Sequence, residues 1–488
     1  MKPEETLDPE NWEELRNLGH QMIDEMIDYI SKVKDQKTWY PIPDDVKESY
    51  KTPLPTNESN IKDIYEEFKT NILPYRMGNI TPRFWGWVIG TGTVFGSYGE
   101  FLGSIMNSNL GGGDHSPVYI EHQVINWMKE LFGFPKDSSG LLVSGGSMAN
   151  FICLTVARNA KLDFDIRKHG FQQSEKKYVF YTSVETHSSN YKAIELLGIG
   201  KENLHVIDVD ENFKIDISKL KNQVTEDKAN GLVPLCIIAN IGTVNSGAVD
   251  DITTLSSIAK EENMWLHADG AFGAVAHISE TYKHLVKGLE LADSIAFDFH
   301  KWFYIPYEAG CVLVKNSDLH YNTFTYTPIY LTHNTRGVGA GPDRWFSDYG
   351  VELSRGFKAL KIWMSLKEHG IKKYGRLVTQ NIDQAHYLGS LVEKHSDQLE
   401  LIAPVELNIT CLRFNPKVKA MSNESLNALN QEILFQLQEK GIASPSYTTL
   451  RGKYGIRVAI TNHRSRREDF DLLINSILEI GSKEQDNF

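Results

Sequence analysis

The chain has 488 residues, 41% of them hydrophobic, with 37 glycines. That is a globular composition, which excludes disordered and fibrous classes and leaves room for two or three domains. Its 51 basic and 63 acidic residues give a net charge of −12, which disfavours a nucleic-acid partner because little counterion release is available. No apolar run approaches the roughly 18 residues of a membrane span; the longest, Leu232 to Ile241, contains Pro234.

The acidic start, Met1-Lys-Pro-Glu-Glu, lacks the basic and then apolar pattern of a secretory leader. A cytoplasmic chain is the expectation. Residues 9–34 place Leu15, Leu18, Met22, Ile23, Met26, Ile27 and Ile30 at helical spacing. A proline-rich connector from Pro41 to Pro55 leads to a second amphipathic stretch, Ile61 to Leu73. Two such helices make a poor core alone. Residues 1–79 therefore read as an arm that packs on another domain or a partner subunit.

From residue 80 the pattern becomes short apolar runs alternating with helices. The runs are Tyr178–Thr182, Leu204–Val209, Leu235–Asn240, Met264–Asp269, Ser294–Asp298 and Gly310–Val314. Near-continuous apolar strands suit a sheet covered on both faces, so residues 80–375 read as a doubly wound, mainly parallel α/β domain. Asp250-Asp251 offers cap residues for a helix over 252–262. Helices are expected at 354–369 and 377–394. A strand, strand, helix, strand, helix pattern follows over 399–403, 409–414, 425–440, 456–461 and 469–481, so residues 376–488 read as a small α/β domain. The cysteines, at 153, 236, 311 and 411, fit neither a zinc clip nor a disulfide framework and point to a reducing compartment. No metal site is expected.

Ligands of open α/β sheets bind beyond the carboxyl ends of the strands. At those ends stand Asp269, the run Asp298-Phe-His-Lys301, the run Glu185-Thr-His187, and the glycine turn Ser144-Gly-Gly-Ser147 that opens a helix. Each alone has an ordinary reading as a turn or surface residue. Together they match one cofactor. Pyridoxal phosphate needs a lysine amine, a carboxylate for its pyridine nitrogen and an anion site, and a helix N-terminus supplies the last. There is no G-x-x-x-x-G-K-[ST], H-E-x-x-H or G-x-S-x-G, and Gly90-Thr-Gly-Thr-Val-Phe-Gly96 misses dinucleotide spacing by one residue.

The stretches LLVSGGSMANF (141–151), ETHSS (185–189), WLHADGAFG (265–273) and DFHKW (298–302) resemble the fold-type-I pyridoxal phosphate enzymes, and within them the group II amino acid decarboxylases. NITPRFWGW (79–87), SPVYIEHQVINWMKELFGFP (116–135) and LSRGFKALKIWMSLKEHG (353–370) extend the resemblance over nearly the whole chain. It implies that Lys301 is the Schiff-base lysine, that Asp269 partners the pyridine nitrogen and that His187 stacks on the ring. Gly146, Ser147 and His300 are implied to contact the phosphate. Thr243 falls in a motif that usually reads Gly-Thr-Thr, and here the second threonine is Val244.

The implied reaction is decarboxylation of an L-amino acid, with an aromatic side chain favoured, by a homodimer whose arm wraps the partner. Acidic-amino-acid decarboxylation, oxidative conversion to an aldehyde, and carbon–carbon or carbon–sulfur lyase chemistry stand as alternatives, as does a non-catalytic relative. By the same resemblance Phe84, Trp85, Trp87, Val88 and Ile89 wall the substrate pocket, and Arg83, Arg336 or Arg344 is available to an acidic substrate. The glycine-rich stretch Tyr330 to Asp343 reads as a lid. An ungapped alignment puts Phe346 at the position of the family's proton-donating tyrosine, and a small shift substitutes Tyr349.

Overall fold

The computed structural model describes residues 4–171, 174–326, 334–419 and 421–488. Among the described residues twelve strands form two sheets: β1 Phe84–Trp85, β2 Ser139–Val143, β3 Tyr178–Ser183, β4 Leu204–Ile207, β5 Val233–Asn240, β6 Trp265–Asp269, β7 Ser294–Asp298, β8 Gly310–Val314, β9 Leu399–Leu401, β10 Ile409–Phe414, β11 Ser444–Leu450 and β12 Lys453–Ala459. The large sheet has the order β2-β8-β7-β6-β5-β3-β4. β8 runs antiparallel to both its neighbours, and the pairs from β7 through to β4 are parallel. β2, β3, β6, β7 and β8 are buried at every position, as expected of a sheet covered on both sides. β2 was not among the expected strands.

The register aligns the chemistry. Asp269 lies opposite Asn240 on one side and Ala296 on the other, so the loops after β3, β5, β6 and β7 leave from one rim. Asp251 caps the helix Ile252–Glu261 by accepting the Thr254 N–H at 3.1 Å. Asp250 does not cap. It is buried and accepts from the backbone of Ile215 and Asn240 at 2.8 and 2.7 Å.

The small sheet has the order β1-β11-β12-β10-β9. β11 escaped the sequence reading because its run, SPSYTTL, is polar; it turns Tyr447 and Thr449 to solvent. β1 pairs with it in parallel, Phe84 opposite Ser444. Trp85 is fully buried in this small core, stacked on Phe470 at 4.9 Å and donating to Ser465 Oγ. It is thus a core residue and not a pocket wall.

The two helices expected over 354–394 are present as the two halves of Lys358–Lys394, separated by a break at Gly370 with φ +67°. Only glycine adopts that conformation freely. The arm carries a helix at Trp12–Ser31, capped by Asn11, and a short helix Asp44–Ser49 inside the proline-rich connector. A third helix, Ile61–Glu67, continues as a π turn. Tyr65 donates to Glu25 at 2.8 Å and joins the outer pair. Among the described residues no helix is long and apolar enough to cross a membrane.

Candidate active site

The glycine turn after β2 opens the helix Gly146–Lys161, whose first amides have no side-chain cap. Its surroundings exclude side chains: a Cβ on Gly310 would lie 2.6 Å from Gly145 Cα, and one on Gly146 would lie 2.9 Å from Asp298 Oδ2. The result is a tight cradle of free backbone N–H groups at a helix N-terminus, suited to an anion. Ser147 is exposed on it. The His300 imidazole covers Gly145, with Cε1 3.2 Å from where a Cβ would stand. His300 Nδ1 meets the Ala309 backbone, 3.1 Å from its nitrogen and 3.0 Å from its carbonyl oxygen. Burial pushes this imidazole below its ordinary range against the pull of Asp298.

Lys301 follows. Its Nζ rests 2.8 Å from Asp298 Oδ2, and Asp298 Oδ1 is buried without a partner among the described residues. Gly90 explains itself here. A Cβ would fall 2.2 Å from the Lys301 carbonyl oxygen, so the segment read as a failed dinucleotide loop is glycine for close approach. Beyond Lys301, Trp302 and Tyr304 both donate to Asn381 Oδ1, at 3.0 and 2.6 Å, and anchor the turn to the long helix.

Asp269 ends β6 and is almost buried. Its Oδ2 accepts from Asn150 Nδ2 and Asn190 Nδ2, each at 2.9 Å, while Oδ1 accepts only a long bond, 3.3 Å, from the Ala271 N–H. Asn150 ends the glycine run of the sequence reading with no role given to it, and Asn190 was absent from that reading. The available signal was an amide within the apolar helical run SMANFICLTVA, because a buried amide needs partners. His187 caps the helix Ser188–Leu196 through Nδ1, which takes the Ser189 N–H at 3.1 Å and lies 2.8 Å from Ser189 Oγ. Desolvation lowers its pKa, outweighing Asp269.

Thr243 is buried, and its hydroxyl is occupied locally by Ser246 Oγ at 2.9 Å and the Ala248 N–H at 3.1 Å. Two residues on, Asn245 ties the rim to the small domain. It donates to Glu185 Oε2, accepts from Thr448 Oγ1, and its carbonyl accepts from Arg457 Nε at 3.2 Å.

Other candidates lie elsewhere. Phe346 is buried against His122 at 4.4 Å and beneath the Arg355 guanidinium at 5.0 Å. Tyr349 is buried against His320 and reaches Ser317 Oγ at 3.3 Å. Both are core residues, placed there by the buried Arg355–Glu121 pair that joins the blocks 116–135 and 353–370. Of the lid stretch, Tyr330 to His333 lie outside the described residues, and Gly341 packs on the Gly113 carbonyl. Arg83 Nη1 lies 3.6 Å from Asp469, and Arg344 pairs with Asp318 at 2.6 Å. Arg336 and Trp87 are exposed, and Val88 is buried.

The amine, the clamped carboxylate with one lightly held oxygen, and the glycine cradle at a helix N-terminus fit pyridoxal phosphate. Together with the sheet order they define a fold-type-I pyridoxal phosphate enzyme. Residues 43–415 match the pyridoxal-dependent decarboxylase conserved domain, and the chain belongs to that family: it is a pyridoxal-phosphate-dependent amino acid carboxy-lyase. It is 35% identical over 463 residues to an aromatic-L-amino-acid decarboxylase of Bacillus atrophaeus, covering 94% of this chain and 93% of the relative. It is 29% identical over 474 residues to tyrosine decarboxylase 4 of Petroselinum crispum, covering 94% and 91%. The crystal structure of an Oryza sativa TDC with PLP and tryptamine shares the fold, with TM-score 0.89 at 22% identity over 98% of this chain and 100% of that one.

Proposed function

We propose that the enzyme decarboxylates an aromatic L-amino acid to its amine and carbon dioxide. The observation that carries the side-chain preference is that, of the three cations open to an acidic substrate in the sequence reading, Arg83 and Arg344 are paired with Asp469 and Asp318, while Arg336 is exposed. The aromatic and tyrosine decarboxylases among its relatives support the same preference.

Bound pyridoxal phosphate supplies the sink for the electron pair left at Cα as carbon dioxide departs. The chain does the positioning. Lys301 Nζ, which rests on Asp298, would hold the cofactor through its aldehyde. Asp269, fixed by two amides, would keep the pyridine nitrogen protonated and so favour charge drawn into the ring. His187, with Nδ1 engaged by Ser189, would flank the ring. Gly146, Ser147 and His300 would hold the phosphate. Thr243 shapes the loop after β5 and keeps its hydroxyl within it.

The active unit in this reading is a homodimer. Support comes from exposed apolar residues on the arm (Met22, Ile23, Ile27) and on the helix Val94–Met106 (Phe101, Leu102, Ile105), a surface whose extent suits a subunit contact. A chain truncated to begin at residue 80 is expected to lose dimerisation or solubility; a stable, active monomer by light scattering would refute this. The division into 1–79, 80–375 and 376–488 is proposed as the working domain map, with β1 lent to the small sheet. Four unpaired, buried cysteines support a reducing, cytoplasmic setting.

Holoenzyme incubated with each of the twenty amino acids, with carbon dioxide, amine, peroxide and ammonia followed together, tests the reading. Tyrosine, tryptophan or phenylalanine should yield amine and carbon dioxide in equal amounts. Preferential turnover of glutamate or aspartate would overturn the substrate assignment, and stoichiometric peroxide and ammonia would overturn the product.

A further inference from the structure

His267 stands in the middle of β6, two residues before Asp269 and on the same face of the strand. Its side chain is fully buried. A buried histidine between strands is ordinarily a satisfied core residue, but the partners of this one form a chain with a single possible direction. Nδ1 lies 2.9 Å from Ser294 Oγ, and Nε2 lies 3.0 Å from Asn150 Oδ1. At the far end Trp265 Nε1 approaches Ser294 Oγ at 2.9 Å. At the near end Asn150 Nδ2 donates to Asp269 Oδ2.

The two ends, with a neutral imidazole between them, set the direction of the bonds. An indole N–H only donates and a carboxylate only accepts. Asn150 turns its two amide hydrogens to Asp269 Oδ2 and to Ser189 Oγ, at 2.9 and 3.2 Å, so its oxygen faces His267 and needs a donor. His267 Nε2 therefore carries the proton, and Nδ1 accepts from the Ser294 hydroxyl, whose lone pair takes the Trp265 N–H. Burial keeps the imidazole neutral by pushing its pKa down to about 4, even against the attraction of Asp269. A branch leaves Asn150 through the Ser189 hydroxyl to His187 Nδ1, 2.8 Å away. One amide thus serves both the carboxylate and the histidine proposed to flank the ring, and among the described residues His267 is the only donor to its oxygen.

The geometry points to His267 as a positioning residue for the decarboxylase reaction: as the Nε2–H tautomer it fixes the Asn150 amide, which aims Asp269 at the cofactor's ring nitrogen. This rests on the assignment of Asp269 to that nitrogen. His267 touches neither substrate nor cofactor and acts through Asn150.

The test compares the affinity of the cofactor-stripped full chain for pyridoxal phosphate and for its 1-deaza analogue, in which a C–H replaces the ring nitrogen. Wild type should prefer the natural cofactor at least about 10-fold, the worth of one well-made buried hydrogen bond to a charged group. Asp269→Ala should abolish the preference; if it does not, the Asp269 assignment fails and the role of His267 falls with it. With that arm satisfied, His267→Leu should lower the preference to within about 3-fold while changing affinity for the deaza analogue less than 2-fold. His267→Gln, which can present an N–H near the Nε2 position, should restore most of it. Equal loss of both ligands in His267→Leu, or an unchanged preference, would show a core residue and nothing more. Should His267→Leu not fold, Ser294→Ala removes the preceding donor with little change in volume and should lower the preference in the same sense; an unchanged preference there overturns the proposal. The visible band of the bound natural cofactor should move in His267→Leu and return in His267→Gln.

Discussion

The two ends of the candidate site are built differently. Around Asp269 nearly every polar group has a partner: two asparagines, a neutral histidine, two serines and an indole form one buried network. Around Lys301 the groups are held in reserve. The helix amides at Gly146 are uncapped, Asp298 Oδ1 has no partner among the described residues, and Lys301 rests on the other oxygen of the same carboxylate. The difference suits the role proposed for each end. A carboxylate that holds one nitrogen throughout the cycle gains from preorganisation, because no reorganisation is needed as charge develops. An amine that must form and break a covalent bond gains from a partner it can leave.

The comparison can be broken first at the lysine. Lys301→Ala should lower turnover by at least about 1,000-fold, since it removes the covalent attachment itself. In wild type, borohydride reduction should place the phosphopyridoxyl group on the peptide containing Lys301; label on another lysine would undo the assignment. Acid probes the closed end. His267, with its pKa near 4 in the folded chain and about 6.5 unfolded, contributes stability that is complete above pH 6.5 and is lost as the pH falls. The sign follows because the unfolded chain binds the proton more tightly in that window, and the loss reaches about 3 kcal/mol near pH 4. Urea unfolding from pH 7 to 4 should show His267→Gln less pH-sensitive than wild type.

The cradle sharpens the contrast with a smaller effect. Gly310→Ala drives a methyl to 2.6 Å from Gly145 Cα, and overpacking of this kind costs about 1–3 kcal/mol. Cofactor affinity measured by fluorescence quenching should drop about 10-fold. Asn190→Ala should cost about 1 kcal/mol in cofactor affinity, and less in stability than Asn150→Ala. Asn190 gives up two bonds and an already unpaired Oδ1, whereas Asn150 gives up three. Smallest of all, Phe346→Tyr and Tyr349→Phe should leave the ratio of amine to aldehyde unchanged, because both rings pack in the core. A rise in peroxide with Tyr349→Phe would restore it to the mechanism.

Lys301, Asp269 and His187 were legible as candidates because each stands just past an apolar run, and Gly146 because a glycine pair opens a helix; both are local properties. The network behind them was not. Asn150 meets Asp269 across 119 residues and His267 across 117, and no local pattern records such a meeting. Trp85 shows the converse failure. A large aromatic beside glycine reads equally well as a pocket wall or as core, and the pairing of β1 with β11, some 360 residues away, decided for core. Phe346 and Tyr349 were misplaced for the same reason, since the Arg355–Glu121 pair that draws their segment inward spans 234 residues.

Taken alone, the sequence determined the α/β class, most strands, the order of helical segments and the candidate groups of the rim. Those follow from periodicity and from turns, which act over a few residues. Only the tertiary structure decided which buried polar groups serve one another: the direction of the chain from Trp265 to Asp269, the resting place of Lys301 on Asp298, and the membership of β1 in the small sheet. Side-chain hydrogen bonds in a core depend on ångström-scale placement of groups far apart in the chain, and that placement exists only once the sheets have packed.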